Sequence, residues 1–174
     1  MGCARHLYTS PKYFDCSSAN YDISKTDTSQ IIYQTLAYAC IEKKDIPDFT
    51  LLKDTNKIYI ANILFKSPFS YQDTTNYSKF RTLTSIPSEI GHVFFCLKSF
   101  SELRHIADKA GRFVYIQLGH ITINNDEASI GISTNWMLPG KSKRLMLSGG
   151  GYIAKLKKID GKWTITGKSN DWVS

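Results

Sequence analysis

The chain has 174 residues, of which 42% are hydrophobic and 21% are charged. This balance is typical of one globular domain that buries its own core, and it excludes a disordered chain. No apolar run approaches the roughly 20 residues that a membrane-spanning helix needs. We therefore expect membrane attachment only through a lipid anchor.

The net charge of +7 is concentrated near the C-terminus. Residues 1–140 hold fourteen basic and thirteen acidic residues, whereas residues 141–174 hold eight and two. Such a surplus indicates either a surface for an anionic partner or a lysine-rich sheet face that serves solubility. We prefer the second interpretation, and we do not expect nucleic acid as a partner.

The four cysteines match no zinc or redox spacing, and no metal or cofactor site is predicted. Cys40 and Cys96 lie in apolar segments, which predicts buried free thiols. Gly2-Cys3 is how a bacterial lipobox ends, so Cys3 is a candidate lipidation site. A chance sequence and eukaryotic acylation stay open, although myristoylation favours Ser or Thr where the chain has His6.

Residues 1–26 are predicted to form a polar arm or tether, and residues 27–174 a single domain. Asp27 and Gln30 predict the N-cap and capping box of a helix that ends near residues 43–44. Residues 57–65 predict a strand. Residues 66–90 predict a long loop that packs its own aromatic residues or serves as a lid or binding loop.

The second half of the chain predicts one strand, one helix and a four-stranded meander. The strand covers residues 92–97. Ser99 and Glu102 predict a capping box for the helix that follows, and Gly111 predicts its end. Alternating apolar residues and turn residues predict four antiparallel strands, at residues 113–123, 127–137, 144–159 and 162–173.

The two-residue turn Asp160-Gly161 predicts the register of the last hairpin. Side-chain alternation then places Trp163 and Tyr152 on a core face, with Ala154 opposite Gly167. The solvent face carries a predicted basic stripe of Lys155, Lys157, Lys162 and Lys168.

The hairpin before it has an unusual predicted outer face, with the apolar row Val114, Ile116 and Leu118. An exposed apolar row needs a cover. We expect either a homodimer through this row or the loop at residues 66–90 to provide it.

Three consecutive glycines, at residues 149–151, predict a bulge, a bend or the close approach of another group. Small residues beyond them leave room for a tightly packed helix or for a pocket. A mostly apolar cavity with few polar groups is typical of a small-molecule site. The candidate ligand-binding residues are Tyr115, Gln117, Thr134, Trp136, Tyr152 and Asp171, unless each is simply satisfied within the core.

Recognisable catalytic chemistry is sparse. Ser148 precedes glycines, but the nucleophile elbow needs Gly where Met146 stands, and no phosphate-binding loop follows. The one acid–base pair that the predicted register builds is Asp171 with Tyr152.

The chain ends with Ser148-Gly-Gly-Gly-Tyr152, Asp160-Gly-Lys-Trp163 and Asp171-Trp-Val-Ser174. Over residues 91–174 it resembles uncharacterised bacterial cell-envelope proteins with a nuclear-transport-factor-2-like (cystatin-like) α+β fold. The resemblance implies helices packed on a strongly bent antiparallel sheet that forms a cone-like cavity.

Three functions follow as hypotheses. We expect first a non-enzymatic domain of a bacterial envelope lipoprotein, periplasmic or on the cell surface, that binds an unknown small molecule or protein. The alternatives are an isomerase- or dehydratase-like enzyme and a polyanion-binding module that uses the basic stripe. A cytoplasmic location stays open.

Overall fold

The computed structural model describes residues 16, 21–42, 52, 55–65, 82–142 and 149–173. They form an α+β domain with two helices and a curled seven-stranded mixed sheet, a half-barrel. The helices are α1 (Asp27–Ala37), which continues into a π-helical turn (Tyr38–Glu42), and α2 (Phe100–Ala110). The strands are β1 (Lys57–Ala61), β2 (Glu89–Ile90), β3 (Val93–Lys98), β4 (Phe113–Asn124), β5 (Glu127–Met137), β6 (Gly150–Ile159) and β7 (Lys162–Val173).

The strand order is β2-β3-β1-β4-β5-β6-β7. Strands β4 to β7 form the predicted antiparallel meander, which is confirmed. The expectation of an antiparallel sheet throughout is wrong, because β1 pairs in parallel with both β3 and β4. The chain passes from β3 through α2 to β4 on the far side of β1, and such a crossover leaves strands parallel.

The two helices cover opposite faces of the sheet. Ile58 and Ile60 of β1 belong to the core that contains the buried side of α1. Tyr59 and Ala61 belong to the core that contains Leu103 of α2. Since side chains alternate along a strand, these two cores lie on different faces. We call them the α1 face and the α2 face.

Helix α1 begins one residue earlier than its predicted cap implies. Thr26 is the N-cap, and its Oγ1 accepts a 3.0 Å hydrogen bond from the backbone N–H of Ser29. Asp27 is instead the first helical residue. Gln30 does not close a capping box, because its Oε1 accepts a 3.4 Å hydrogen bond from the N–H of Trp163 on β7. Tertiary contacts with β7 therefore replace the predicted local bond.

Helix α2 confirms its predicted ends. Ser99 Oγ accepts from the N–H of Glu102 at 3.3 Å, and Glu102 Oε2 accepts from the N–H of Ser99 at 2.8 Å. Gly111 ends the helix with a φ of +89°, which favours glycine.

The apolar row of β4 lies inside the protein. Ile116 and Leu118 are both 0% exposed on the α1 face, and Val114 packs against the same core. The predicted exposed row is therefore wrong, because it packs in a core that also contains Leu83 and Ile86. Both belong to the segment 66–90, the second of the two expected covers. A homodimer stays a prediction, but these three residues do not provide an exposed surface for it.

A bulge interrupts β4 just beyond this row. Leu118 pairs with Ile132, but the next pair is Ile121 with Ile130, so two residues on β4 oppose one on β5. The extra residue moves the following side chains to the other face. Ile121 consequently joins the α1 face, together with Leu118.

The last hairpin follows the prediction only as far as its first four pairs. Asp160 and Gly161 have positive φ angles of 49° and 77°, as a type I′ turn requires. Pairing then shifts beyond Leu156 and Ile165, so that Lys155 pairs with Gly167. Ala154 therefore faces Lys168 rather than Gly167, because the shift leaves one extra residue on β7.

The glycines before β6 are explained by the close approach of β5. A Cβ atom on Gly149 would lie 2.7 Å from the carbonyl oxygen of Thr134. A Cβ on Gly151 would meet the backbone of Ile132 in the same way. Of the three expected causes, the approach of another group is thus observed, and that group is the neighbouring strand.

Two predicted segments lie wholly or partly outside the described residues. The predicted strand 57–65 ends as β1 at Ala61 and continues only as single bridges at Ile63 and Phe65. Of the predicted loop 66–90, residues 82–90 are described, and Ser148 lies outside the described ranges.

Candidate functional site

A cavity of about 490 Å³ lies between the start of α1, residues 82–85 and the bulged part of β4. Backbone bonds hold these segments side by side. The N–H of Leu83 donates to the carbonyl of Asn62 at 2.6 Å, and the N–H of His120 donates to the carbonyl of Phe65 at 2.9 Å. The segment after β1 thus positions two walls of the cavity. We call this cavity the α1 pocket.

The α1 pocket combines hydroxyl groups with an apolar wall and one imidazole. None of the described residues that line it carries a carboxylate, ammonium or guanidinium group. The hydroxyl groups belong to Tyr21, Thr26, Thr28, Ser29, Thr82, Thr84 and Ser85. The apolar side chains are Ile32, Leu64, Leu83, Ile121 and Ile123, and the imidazole is that of His120.

Three of these hydroxyl groups are committed to the start of α1. Tyr21 Oη donates a 2.6 Å hydrogen bond to the carbonyl of Ser29, and burial raises the pKa of Tyr21 to about 12. Thr26 Oγ1 lies 2.9 Å from Ser29 Oγ within the helix cap. These three side chains shape the pocket rather than offer free hydrogen-bonding groups.

His120 lines the pocket from the bulged part of β4. Its Nε2 atom is buried and has no hydrogen-bond partner among the described residues. A buried polar atom without a partner costs about 1–3 kcal/mol, so native proteins seldom keep one. The imidazole of His120 is therefore a group that a bound molecule can satisfy.

Two of the predicted ligand-binding residues, Tyr115 and Gln117, lie on the α2 face. The ring of Tyr115 packs edge-on against Phe100 at a centroid distance of 5.9 Å. Gln117 Nε2 donates a 3.3 Å hydrogen bond to the carbonyl of Ile63. Both side chains thus have partners within the domain.

Thr134 and Trp136 pair with Ile116 and Val114, which places them on the α1 face. Thr134 Oγ1 donates a 3.4 Å hydrogen bond to the carbonyl of Gly150. The ring of Trp136 lies 5.5 Å from the guanidinium of Arg112. The sheet itself therefore separates these two residues from Tyr115 and Gln117.

Tyr152 and Asp171 do lie near one another, with Lys168 between them. Lys168 Nζ binds Asp171 Oδ2 and lies 5.9 Å from the centre of the Tyr152 ring. Burial raises the pKa of Tyr152 well above its usual range, and the nearby carboxylate of Asp171 raises it further. Tyr152 therefore keeps its proton, which disfavours it as a general base. Neither Tyr152 nor Asp171 lines the α1 pocket.

The structure divides the predicted basic stripe. Lys155, Lys157 and Lys162 are exposed and share the face opposite Trp163. The bulge in β7 moves Lys168 to the other face, where it is opposite Ala154. The basic face therefore consists of three lysines.

Of the two cysteines predicted to be buried free thiols, one is confirmed and the other is not. Cys96 is not a free thiol, because it forms a disulfide with Cys16 across 80 residues of sequence. Cys40 is free and buried as predicted, and burial raises the pKa of its thiol to about 12. Cys3 lies outside the described residues.

Neither a metal site nor a membrane-spanning helix is found in the described ranges. No cluster of three or more His, Cys, Asp or Glu side chains there has the arrangement of a metal site. No helix in the same ranges has the length and hydropathy needed to span a membrane.

The sequence analysis missed the α1 pocket because it took the face of Ile116 and Leu118, which lies in the core, for an outer face. One feature indicates the irregularity beside the pocket. Gly119 lies within a predicted strand, and a glycine inside a strand often marks a bulge. A Cβ on Gly119 would lie 3.1 Å from the Phe65 ring, which favours glycine there.

Comparison of the chain with models of known families, with curated proteins and with solved structures gave no match.

Proposed function

We propose that this protein is a non-enzymatic binding domain that holds a small molecule in the α1 pocket. The carrying observation is the buried Nε2 atom of His120, which has no partner among the described residues and lies at the pocket wall. The volume of about 490 Å³ falls within the roughly 300–1,000 Å³ that is usual for such sites.

The lining chemistry supports binding rather than catalysis. General acid–base catalysis needs proton donors and acceptors within reach of the substrate, and the described lining offers one imidazole, that of His120, and no carboxylate. The alternative enzyme, with Asp171 and Tyr152 as its acid–base pair, has weaker support. Lys168 binds Asp171, and the raised pKa of Tyr152 keeps that hydroxyl protonated.

The test is a thermal-shift screen of the full chain against a defined panel of saccharides, nucleosides, amino acids and short-chain carboxylates. A molecule that binds only the folded state raises the melting temperature. We expect at least one class to stabilise the wild type, and the variant His120→Leu to lose most of that shift. Thr164→Val, on the exposed face of β7, is the matched control and should keep it. A panel without effect, or a shift unchanged in His120→Leu, would contradict the proposal.

We propose further that the protein is a bacterial envelope lipoprotein anchored through Cys3. The disulfide between Cys16 and Cys96 supports this location, because structural disulfides persist in oxidising compartments such as the periplasm. Replacement of Cys3 by Ser should release the protein from the membrane fraction of its host. Recovery of a reduced cytoplasmic protein would argue against the location.

The kinship with nuclear-transport-factor-2-like and cystatin-like folds is likewise a proposal. It is supported by a curled sheet that wraps α1 and by the antiparallel meander β4 to β7. The parallel pairing of β1 with β3 and β4 differs from the antiparallel sheet expected for those folds. An experimental structure of this chain, superposed on members of those folds, tests the proposal.

Polyanion binding is a second candidate function, favoured by the exposed face of Lys155, Lys157 and Lys162. Binding to heparin should then weaken steeply with salt, because bound counterions are released. Replacing all three lysines by Gln should lower both the affinity and the salt dependence. Lys168→Gln, on the other face, is the control. Equal retention of wild type and triple variant on heparin would exclude this function.

A further inference from the structure

We infer that the ligand of the α1 pocket is an uncharged molecule rich in hydroxyl groups, of the saccharide class. This inference rests on the proposed function, and it concerns the chemistry that the pocket can accept.

The first argument is the absence of charge among the lining residues. No carboxylate or cationic side chain lines the pocket within the described part of the chain. A charged ligand group would find no ion pair among these residues, and a charge that is removed from water without a counter-charge is costly. An uncharged ligand avoids this cost.

The second argument is that the start of α1 already carries a negative charge. Thr26 caps this end, because its Oγ1 accepts from the N–H of Ser29. Asp27 in the first turn places a carboxylate there. Lys158 Nζ holds that carboxylate at 2.8 Å and does not line the pocket. A carboxylate or phosphate ligand at this helix end would therefore have Asp27 as a neighbour of like charge.

The third argument is the number of neutral groups that remain available. The hydroxyl groups of Thr28, Thr82, Thr84 and Ser85 form no hydrogen bond within the described residues, and His120 Nε2 adds one more group. A hydroxyl both donates and accepts, so it pairs with another hydroxyl in either direction. A ligand with several hydroxyl groups can satisfy this set without carrying charge.

The fourth argument is the mixed character of the lining. Ile32, Leu83 and Ile121 supply apolar surface, whereas the hydroxyl groups and His120 supply polar positions. A pyranose ring combines the same two kinds of surface, with C–H groups on its faces and hydroxyl groups around its rim. Apolar surface and a few placed polar groups together orient a ligand.

The experiment compares uncharged saccharides with charged ones of related structure, by isothermal titration calorimetry on the full chain. The uncharged probes are glucose, N-acetylglucosamine and maltose, and the charged probes are glucuronate and glucosamine. We expect at least one uncharged probe to bind, and its charged counterpart to bind at least about tenfold more weakly. Thr84→Val and His120→Leu should each weaken binding of the uncharged probe, whereas Thr164→Val should not. Melting temperatures verify that each variant is folded.

Two results separate the inference from the proposed function. If a charged probe, or a non-saccharide of the screening panel, binds more tightly and His120→Leu abolishes that binding, the ligand class is wrong and the pocket stands. If a probe binds both His120→Leu and Thr84→Val as tightly as it binds the wild type, the pocket is not the binding site and both proposals fail. Absence of saccharide binding also overturns the ligand class.

Discussion

Lys158 Nζ donates a 2.8 Å hydrogen bond to Asp27 Oδ1, although the two residues are 131 positions apart in the chain. The bond joins the start of α1 to the β6–β7 hairpin. It is the largest cause of the lowered pKa of Asp27, and the nearby indole of Trp163 is the next.

The ion pair between Asp27 and Lys158 should make stability depend on acid pH. The folded-state pKa of Asp27 is lowered, so its stabilisation is present above the unfolded-state pKa of about 3.9. That stabilisation is lost as the pH falls through the folded-state value. Urea unfolding from pH 7 to pH 2 should show this loss in the wild type and a smaller loss in Asp27→Asn.

The neighbouring lysines provide a matched control for the same bond. Lys158→Met should destabilise the protein at pH 7, whereas Lys157→Met should have little effect. Lys157 is exposed on the other face, and exposed charges contribute little to stability. Equal unfolding midpoints for the two variants would refute the role given to Lys158.

The disulfide should be a major source of stability. It closes a loop across 80 residues, and removal of a native disulfide from a small domain typically costs about 2–5 kcal/mol. Cys16→Ser should lower the free energy of unfolding by about this amount. Dithiothreitol should lower it in the wild type and leave Cys16→Ser unaffected. If reduction left the unfolding midpoint of the wild type unchanged, this result would argue against the disulfide.

The glycines along β6 and β7 should differ in their tolerance of a methyl group. Gly149→Ala should destabilise the domain by about 1–3 kcal/mol, because its Cβ would lie 2.7 Å from the carbonyl oxygen of Thr134. Gly167→Ala meets nothing within 4 Å and should be neutral or stabilising. Thermal unfolding of the two variants compares them directly, and the opposite order would disprove the close approach of β5.

The Cys40 thiol should be inert in the folded protein. Burial raises its pKa to about 12, and the thiolate is the form that reacts with alkylating reagents. In a Cys3→Ser background, iodoacetamide at pH 8 should add no mass to the native chain and one adduct after unfolding without reduction. Fast labelling of the native chain would show that Cys40 is accessible.

The position of Leu118 in the core can be separated from a position in a dimer interface. Leu118→Ala should cost about 2–5 kcal/mol, independent of protein concentration, because the side chain is 0% exposed. Ile159→Ala, at 49% exposure, is the control and should cost much less. Unfolding midpoints measured at several protein concentrations would reveal an interface if the cost changed with concentration.

Local chemistry predicted much of the fold. The capping box of Ser99 and Glu102 and the turn at Asp160-Gly161 depend on neighbours in sequence, and both are confirmed. The α+β class and the final meander followed from such local patterns. The N-cap of α1 was misplaced by one residue, because two adjacent side chains, Thr26 and Asp27, both suit that position.

Side-chain alternation alone could not predict the pocket, because the pocket depends on two effects that alternation does not contain. One is the bulge at residues 119–120, which changes the face of every later residue in β4. The other is the use of Thr82 and Phe65 as single bridges at the margin of the sheet. The disulfide was not predicted for a similar reason, since the spacing of cysteines along the chain does not show which of them meet in space.

The shift that moves Lys168 also has a consequence for solubility. β7 is the last strand of the sheet, and an outermost strand exposes backbone groups with which another chain can pair. The pairing of β7 with β6 shifts register twice. This edge of the sheet is therefore irregular and does not offer a long straight strand to which another chain could pair. The protein should therefore resist fibre growth along β7 without any covering element.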